Sequence, residues 1–295
     1  MTLLDMKRPS NQLAVFLFAI GSGIIINSVI TAVLMINYPI DEMLNNAGMM
    51  RCLSFLSQIF VFLLPSLVLF VCMRKEHPDY LHLRTFPSNY NLILTLLLVF
   101  LSVPMMSWIV GMNESVTLPE SMSKIEEWLK HSEEEMAVRS DMMLHTDSWD
   151  VLCINILVVA LCPAFCEEIL FRGVLMNWLG QVLKNKHVAV WLSAIIFSAC
   201  HMQFYGFIPR MLLGAAFGYL VVWTKSLWTS MIAHFINNLS AVVLAFAYCR
   251  GKLSTSYNEP AVWESHWSVI TLSIVCTMAL LYLLHVYNTR KLPNS

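Results

Sequence analysis

Residues 151–179 read VLCINILVVALCPAFCEEILFRGVLMNWL. The run is apolar and longer than the roughly 20 residues a helix needs to cross a bilayer, yet Glu167, Glu168 and Arg172 sit in its interior. One charged side chain at the centre of a spanning helix costs about 2.5–3.5 kcal/mol on insertion scales. Three of them, unpaired, would cost roughly 8–10 kcal/mol. Glu168 and Arg172 are i and i+4 with the acid N-terminal, the better order for an ion pair. That pairing leaves Glu167 unmatched, about 100° round the helix. An unmatched acid inside a membrane points to function. The plain alternative is a packing device or a turn at the headgroups, but Val174, Leu175, Met176, Trp178 and Leu179 continue the apolar pattern beyond the charges.

The rest of the chain agrees with a membrane setting. Of 295 residues 58% are hydrophobic and 13% charged, against about 25% charged in soluble domains. Lys+Arg 18 against Asp+Glu 19 gives a net charge of -1, which leaves no basic field for nucleic acid. Seven further apolar runs are candidate spans: Leu13–Ile36, Leu53–Met73, Leu92–Met112, Val188–Phe207, Pro209–Thr224, Leu227–Tyr248 and Trp267–Tyr287. The expected fold is all-α, a bundle of about eight transmembrane helices. The first run is too long for the apolar core of a signal peptide and is expected to be retained. Pro65, Pro104 and Pro163 fall inside runs, where spanning helices tolerate kinks. The eight cysteines form no CxxC pair, and Cys153, Cys162, Cys166, Cys200 and Cys276 lie in apolar runs, so they are read as small buried hydrophobes.

Lys and Arg alternate between loops. Lys7 and Arg8, then Arg74, Lys75 and Arg84, then Lys184 and Lys186, Lys225, and Arg290 and Lys291 mark one side. That side is expected to be cytoplasmic, with both termini on it, in the plasma membrane of a bacterium. The long acidic loop 113–150 falls on the other side, where Ile125, Trp128, Leu129 and Met136 recur at roughly helical spacing. It reads either as a helix on the membrane surface or as a solvated acidic helix. Three regions are expected: 1–150 with three spans and the acidic loop, a core of four spans over 151–250, and a final span over 251–295.

Two of nine histidines lie well inside apolar runs: His201, closing Phe197-Ser198-Ala199-Cys200-His201, and His234, opening His234-Phe235-Ile236-Asn237-Asn238. His234 and Asn238 are i and i+4 and face one way, so both can offer N–H groups to one oxygen. His77, His82, His131, His145, His187, His266 and His285 lie in loops or at span ends and read as solvated or interfacial. Gly214 and Gly218 form a small-residue face suited to close helix packing. Counting residues places His201 and His234 at opposite depths, a tension the sequence leaves open.

Taken together, Glu167-Glu168-x-x-x-Arg172, Phe197-x-x-x-His201 and His234-x-x-x-Asn238 resemble, in order and on successive spans, the three motifs of the CPBP family. These are the CAAX protease and bacteriocin-processing intramembrane endopeptidases, which include the eukaryotic Ras-converting CAAX protease. The resemblance covers about Val151 to Ala247. It implies that Glu167 and His201 activate the attacking water, that His234 and Asn238 stabilise the oxyanion, and that Glu168 and Arg172 support the site. The implied partners are the lipid bilayer and a peptide or protein substrate of CAAX or leader-peptide type. No cofactor is expected. Zinc held by Glu167, His201 and His234 is the alternative, since one carboxylate and two imidazoles make a known catalytic zinc set. A transporter or an inactive scaffold using the same residues is the alternative outside enzymology.

Overall fold

In the computed structural model, which describes residues 5–74, 78–253 and 266–291, the chain is all-α and no strand occurs among the described residues. We number the helices in chain order. Pro9–Asn37 is α1, Ile40–Leu44 α2 and Ala47–Met73 α3. Asn89–Leu101 and Val103–Glu114 are α4 and α5, followed by Ser123–Leu144 as α6. Then come Trp149–Leu183 (α7), Lys186–Ala199 (α8), Phe207–Thr224 (α9), Leu227–Cys249 (α10) and Trp267–Lys291 (α11). Six of these (α1, α3, α7, α9, α10 and α11) are long and apolar enough to cross a membrane. The bent pair α4 and α5 makes a seventh.

The remaining expected span, Val188–Phe207, forms a shorter helix. Helix α8 has 14 residues, about 21 Å at 1.5 Å per residue, against a hydrocarbon core of about 30 Å. It begins where the Asn185 side chain accepts from the backbone N–H groups of His187 and Val188, and it ends ahead of Met202, whose φ of 54° is left-handed.

The prolines explain the breaks. A proline ring lacks the N–H and clashes with the carbonyl four residues back. Pro65 and Pro163 each lie just past a π turn, Gln58–Leu63 in α3 and Ile156–Leu161 in α7. The wider turn absorbs the missing bond without breaking the span. Pro104 instead sits at the 42° bend between α4 and α5. A further π turn, Ile169–Leu175, follows Glu168 directly.

Helix α1 packs on α3 at its π turn, with Gly23 against the Phe60 carbonyl; a Cβ built there would stand 2.0 Å from that oxygen. Backbone has to move to admit it, and overpacking typically costs about 1–3 kcal/mol. Gly23→Ala is therefore expected to lower the midpoint of thermal unfolding in detergent while leaving α7 to α10 intact. An unchanged midpoint would mean that this contact is loose.

One end of the bundle gathers the starts of α1, α4, α8 and α10 with the ends of α7, α9 and α11. There the Trp178 indole donates to the Pro9 carbonyl, Trp228 donates to the Leu83 carbonyl, and Asn91 and Asn288 exchange side-chain hydrogen bonds. Arg8, Arg74, Arg84, Lys184, Lys186 and Lys225 lie at this end, whereas α6, with Glu126, Glu127, Glu133, Glu134 and Glu135, lies at the other. Lys75 and His77 fall outside the described residues. On α6, Ile125 and Trp128 are exposed, while Leu129 and Met136 are half-buried. The cysteines are free, and the expectation of burial is met at Cys162 and Cys166; Cys153 and Cys200 instead lie on the outside of the bundle and Cys276 is half-buried. An apolar run does not tell the outward face of a spanning helix from its inward face.

Candidate active site

The long helix α7 brings Glu167, Glu168 and Arg172 into the middle of the bundle, all three buried. Arg172 Nη1 donates to Glu168 Oε1 at 2.7 Å, the i to i+4 pair that the spacing predicts. Its Nη2 donates to the Gly214 carbonyl at 3.0 Å. A Cβ on Gly214 would stand 3.1 Å from that nitrogen, so this glycine does more than pack helices: it admits the guanidinium to the backbone of α9. Arg172 Cζ lies over the Phe197 ring, 4.4 Å from its centre, a favourable cation–π distance.

Glu168 Oε1 also accepts from His234 Nδ1 on α10 at 2.9 Å. Gly214, Arg172, Glu168 and His234 thus form one chain of contacts through α9, α7 and α10. A carboxylate can only accept, so Nδ1 of His234 is the donor. His201 is set up in the same sense. Its Nδ1 lies 2.9 Å from the Phe197 carbonyl, which again can only accept, and this leaves Nε2 with a lone pair when the ring is neutral. The left-handed turn at Met202 directs the chain away just after His201, while the ring folds back on Phe197. The Phe197 ring centre is 5.0 Å from that of His201 and 6.0 Å from that of His234. The opposite depths suggested by residue counting are reconciled there: both rings meet at one phenylalanine.

Glu167, His201, His234 and Asn238 line a single cavity of about 470 Å³, with walls that include Pro163, Phe217 and Arg210. Asn238 is held by its Nδ2 on the Val159 carbonyl at 3.4 Å. Val159 is four residues before Pro163, so its carbonyl is the one the proline cannot use, and α10 takes it up. All four residues expected to carry the chemistry, and both expected supports, are therefore found at one place.

Two further residues at the cavity were not singled out from the sequence. Gln58, in the π turn of α3, donates from Nε2 to Glu167 Oε1 at 2.8 Å, with both side chains buried. The available signal was the one amide side chain inside the apolar run Leu53–Met73. Arg210, at the start of the run Pro209–Thr224, also lines the cavity. The segment between α8 and α9 is tied down from outside. Tyr205 N–H donates to Glu133 on α6 at 2.9 Å, and Asn113 on α5 donates to the Phe204 carbonyl at 3.2 Å. The acidic helix thus holds the segment that follows His201.

Glu167, His201 and His234 do not converge as metal ligands. Among the described residues no three His, Cys, Asp or Glu side chains are grouped closely enough to hold an ion.

Residues 149–240, about a third of the chain, match the family model described as type II CAAX prenyl endopeptidase Rce1-like. This segment is thus similar to the CAAX prenyl endopeptidases. The matched segment contains the whole of the cavity's chemistry from Glu167 to Asn238, while Gln58 lies outside it. The uncharacterized protein YpbD of Bacillus subtilis (strain 168) is 34% identical over 86 residues, which are 28% of this chain and 41% of that protein. The chain thus spans about two fifths of the length of this curated relative. No solved structure matches.

Proposed function

We propose that this chain is an intramembrane endopeptidase of the CAAX protease type that hydrolyses a peptide bond with water activated by Glu167 and His201. The observation that supports this best is the one cavity lined by Glu167, His201, His234 and Asn238 together. Glu167, with Oε1 taken by Gln58, offers Oε2 to the water. His201 Nε2 orients it as an acceptor. As the water oxygen bonds to the carbonyl carbon, Glu167 takes its proton. The carbonyl oxygen becomes an oxyanion facing the amide N–H of Asn238 and Nε2 of His234. With Nδ1–H given to Glu168, Nε2 carries a proton only as imidazolium, and Glu168 is its counter-ion. The C–N bond then breaks, and the proton on Glu167 passes to the leaving amine. The immediate products are a carboxylic acid and an amine, which ionise to a carboxylate and an ammonium group.

The substrate we infer is a membrane-associated peptide, with a prenylated CAAX-type C-terminus as the first candidate from the family description. The basic end of the bundle is placed on the cytoplasmic side by the positive-inside rule. The test uses purified protein in lipid nanodiscs with a farnesylated CAAX-type reporter peptide, with and without chelator. Cleavage insensitive to chelation supports the reading. Activity that is lost on chelation and restored by added zinc would replace the glutamic route with a metal route.

Gln58 enters this mechanism by holding Glu167. Hydrogen bonds to a charged group contribute about 1.5–3 kcal/mol. Gln58→Leu is therefore expected to lower kcat by about tenfold or more with little change in KM, read from steady-state kinetics on the same reporter. An unchanged kcat would remove Gln58 from the catalytic geometry.

A further inference from the structure

Arg210 lies in the first turn of α9 and is one of the residues lining the cavity that holds Glu167, His201, His234 and Asn238. Nη2 donates to Gln203 Oε1 at 2.5 Å. Nη1 is enclosed and has no hydrogen-bond partner. The group is seated over Gly206, where a Cβ would stand 2.9 Å from Nη2 and 3.3 Å from Nη1; the missing side chain makes room for it. Glu133 and Glu167 lie within electrostatic range, but neither forms an ion pair with Arg210. Glu133 accepts from Tyr205 N–H and Glu167 accepts from Gln58.

An enclosed donor of a charged group without a partner is costly, and such groups in folded proteins call for an explanation. A guanidinium is a rigid fork that matches a carboxylate through two parallel hydrogen bonds. The cavity already contains what hydrolysis needs: a base, a water-orienting ring and two oxyanion donors. It has no stated use for an additional cation. A substrate carboxylate would satisfy Nη1 and at the same time hold the peptide next to Glu167.

We propose that Arg210 is a substrate-binding residue that anchors a carboxylate of the peptide and thereby fixes which bond lies over Glu167. The inference rests on the endopeptidase reading and narrows it to peptides carrying a carboxylate close to the cleaved bond. Such a carboxylate can be the C-terminal group or an acidic side chain. The rival role for Arg210 is to balance the charge of Glu167, which would affect every substrate equally.

The experiment uses three farnesylated CAAX-type reporter peptides: one with a free C-terminus, its C-terminal amide, and the amide with a Glu near the end. Charged hydrogen bonds of this kind correspond to about a tenfold or larger preference. Wild-type protein is expected to show it as a lower KM for the free carboxylate over the plain amide. The Glu-bearing amide distinguishes the sources. If it matches the free acid, any nearby carboxylate serves; if it matches the plain amide, the C-terminal group is required. Arg210→Gln should erase the preference, with the loss falling on KM more than on kcat, and Arg210→Lys should keep part of it. Binding of the same peptides to Glu167→Gln protein, read by fluorescence anisotropy, gives the preference without catalysis. It should vanish in Glu167→Gln/Arg210→Gln.

Failure of the two readings is distinguishable. Peptides cut without regard to their carboxylate would overturn the role of Arg210 and leave the endopeptidase standing. Selective binding without cleavage by wild-type protein would do the reverse. Should Arg210→Gln fail to fold, the wild-type comparison and Arg210→Lys still decide. A wild type without preference, or a lysine variant that discriminates as well as wild type does, would reject the fork-shaped anchor.

Discussion

Glu167→Gln is expected to reduce hydrolysis by at least about 10²-fold, the lower end of what general-base catalysis contributes, while the protein folds normally. Glutamine keeps the size of the side chain and removes the proton acceptor. Its amide can still meet Gln58, so the packing around α3 and α7 survives. The loss should fall on kcat, because the base acts on water in the transition state and contributes little to holding the peptide. Circular dichroism and thermal unfolding indistinguishable from wild type are part of the prediction. Near-normal turnover by a folded Glu167→Gln protein would take Glu167 out of the mechanism.

The largest effect on stability is expected at the neighbouring acid. Glu168 is fully buried and Arg172 is 1% exposed, and Glu168 Oε1 serves both Arg172 and His234. Removing one partner of a buried pair leaves an uncompensated charge and costs about 3–5 kcal/mol. Glu168→Ala should therefore lower yield and the unfolding midpoint more than Glu167→Ala does. Glu168→Ala/Arg172→Ala should recover part of the loss, because the stranded guanidinium is gone. Recovery should be incomplete, since His234 Nδ1 still lacks its acceptor. If the losses from Glu168→Ala and Arg172→Ala simply add, the two residues are not coupled. His234→Ala tests the other arm: it should cost activity more than stability.

Much of the fold and site is legible in the sequence for physical reasons. Charge is so expensive in lipid that Glu167, Glu168 and Arg172 stand out against their run, and the i to i+4 spacing pairs Glu168 with Arg172 on any helix. The two histidines inside apolar runs stand out in the same way. What escapes is set by contacts between distant segments. Val188–Phe207 is continuous in hydropathy, so nothing in it marks the end of α8 at Ala199; the left-handed residue that follows is a methionine rather than the glycine expected of such a turn. Gln58 is 109 positions from Glu167, and a lone glutamine in an apolar run does not name its partner. Glu168 binds His234 as well as Arg172, which the helical spacing alone does not reveal. Arg210 looks like an ordinary snorkelling residue at a span edge, because the inward course of the segment from Met202 to Gly206 is a tertiary feature.

The central claim is that Glu167 delivers a water molecule to a peptide bond, and the direct measurement is mass spectrometry of cleavage in ¹⁸O-labelled water. Purified wild-type protein in nanodiscs is incubated with the farnesylated reporter, and both halves are weighed after a single turnover. The account predicts one ¹⁸O atom in the new carboxyl group of the N-terminal product, unlabelled protein, and no product from Glu167→Gln. An intact reporter with wild-type protein, or a covalent peptide adduct on the protein ahead of label incorporation, would contradict it.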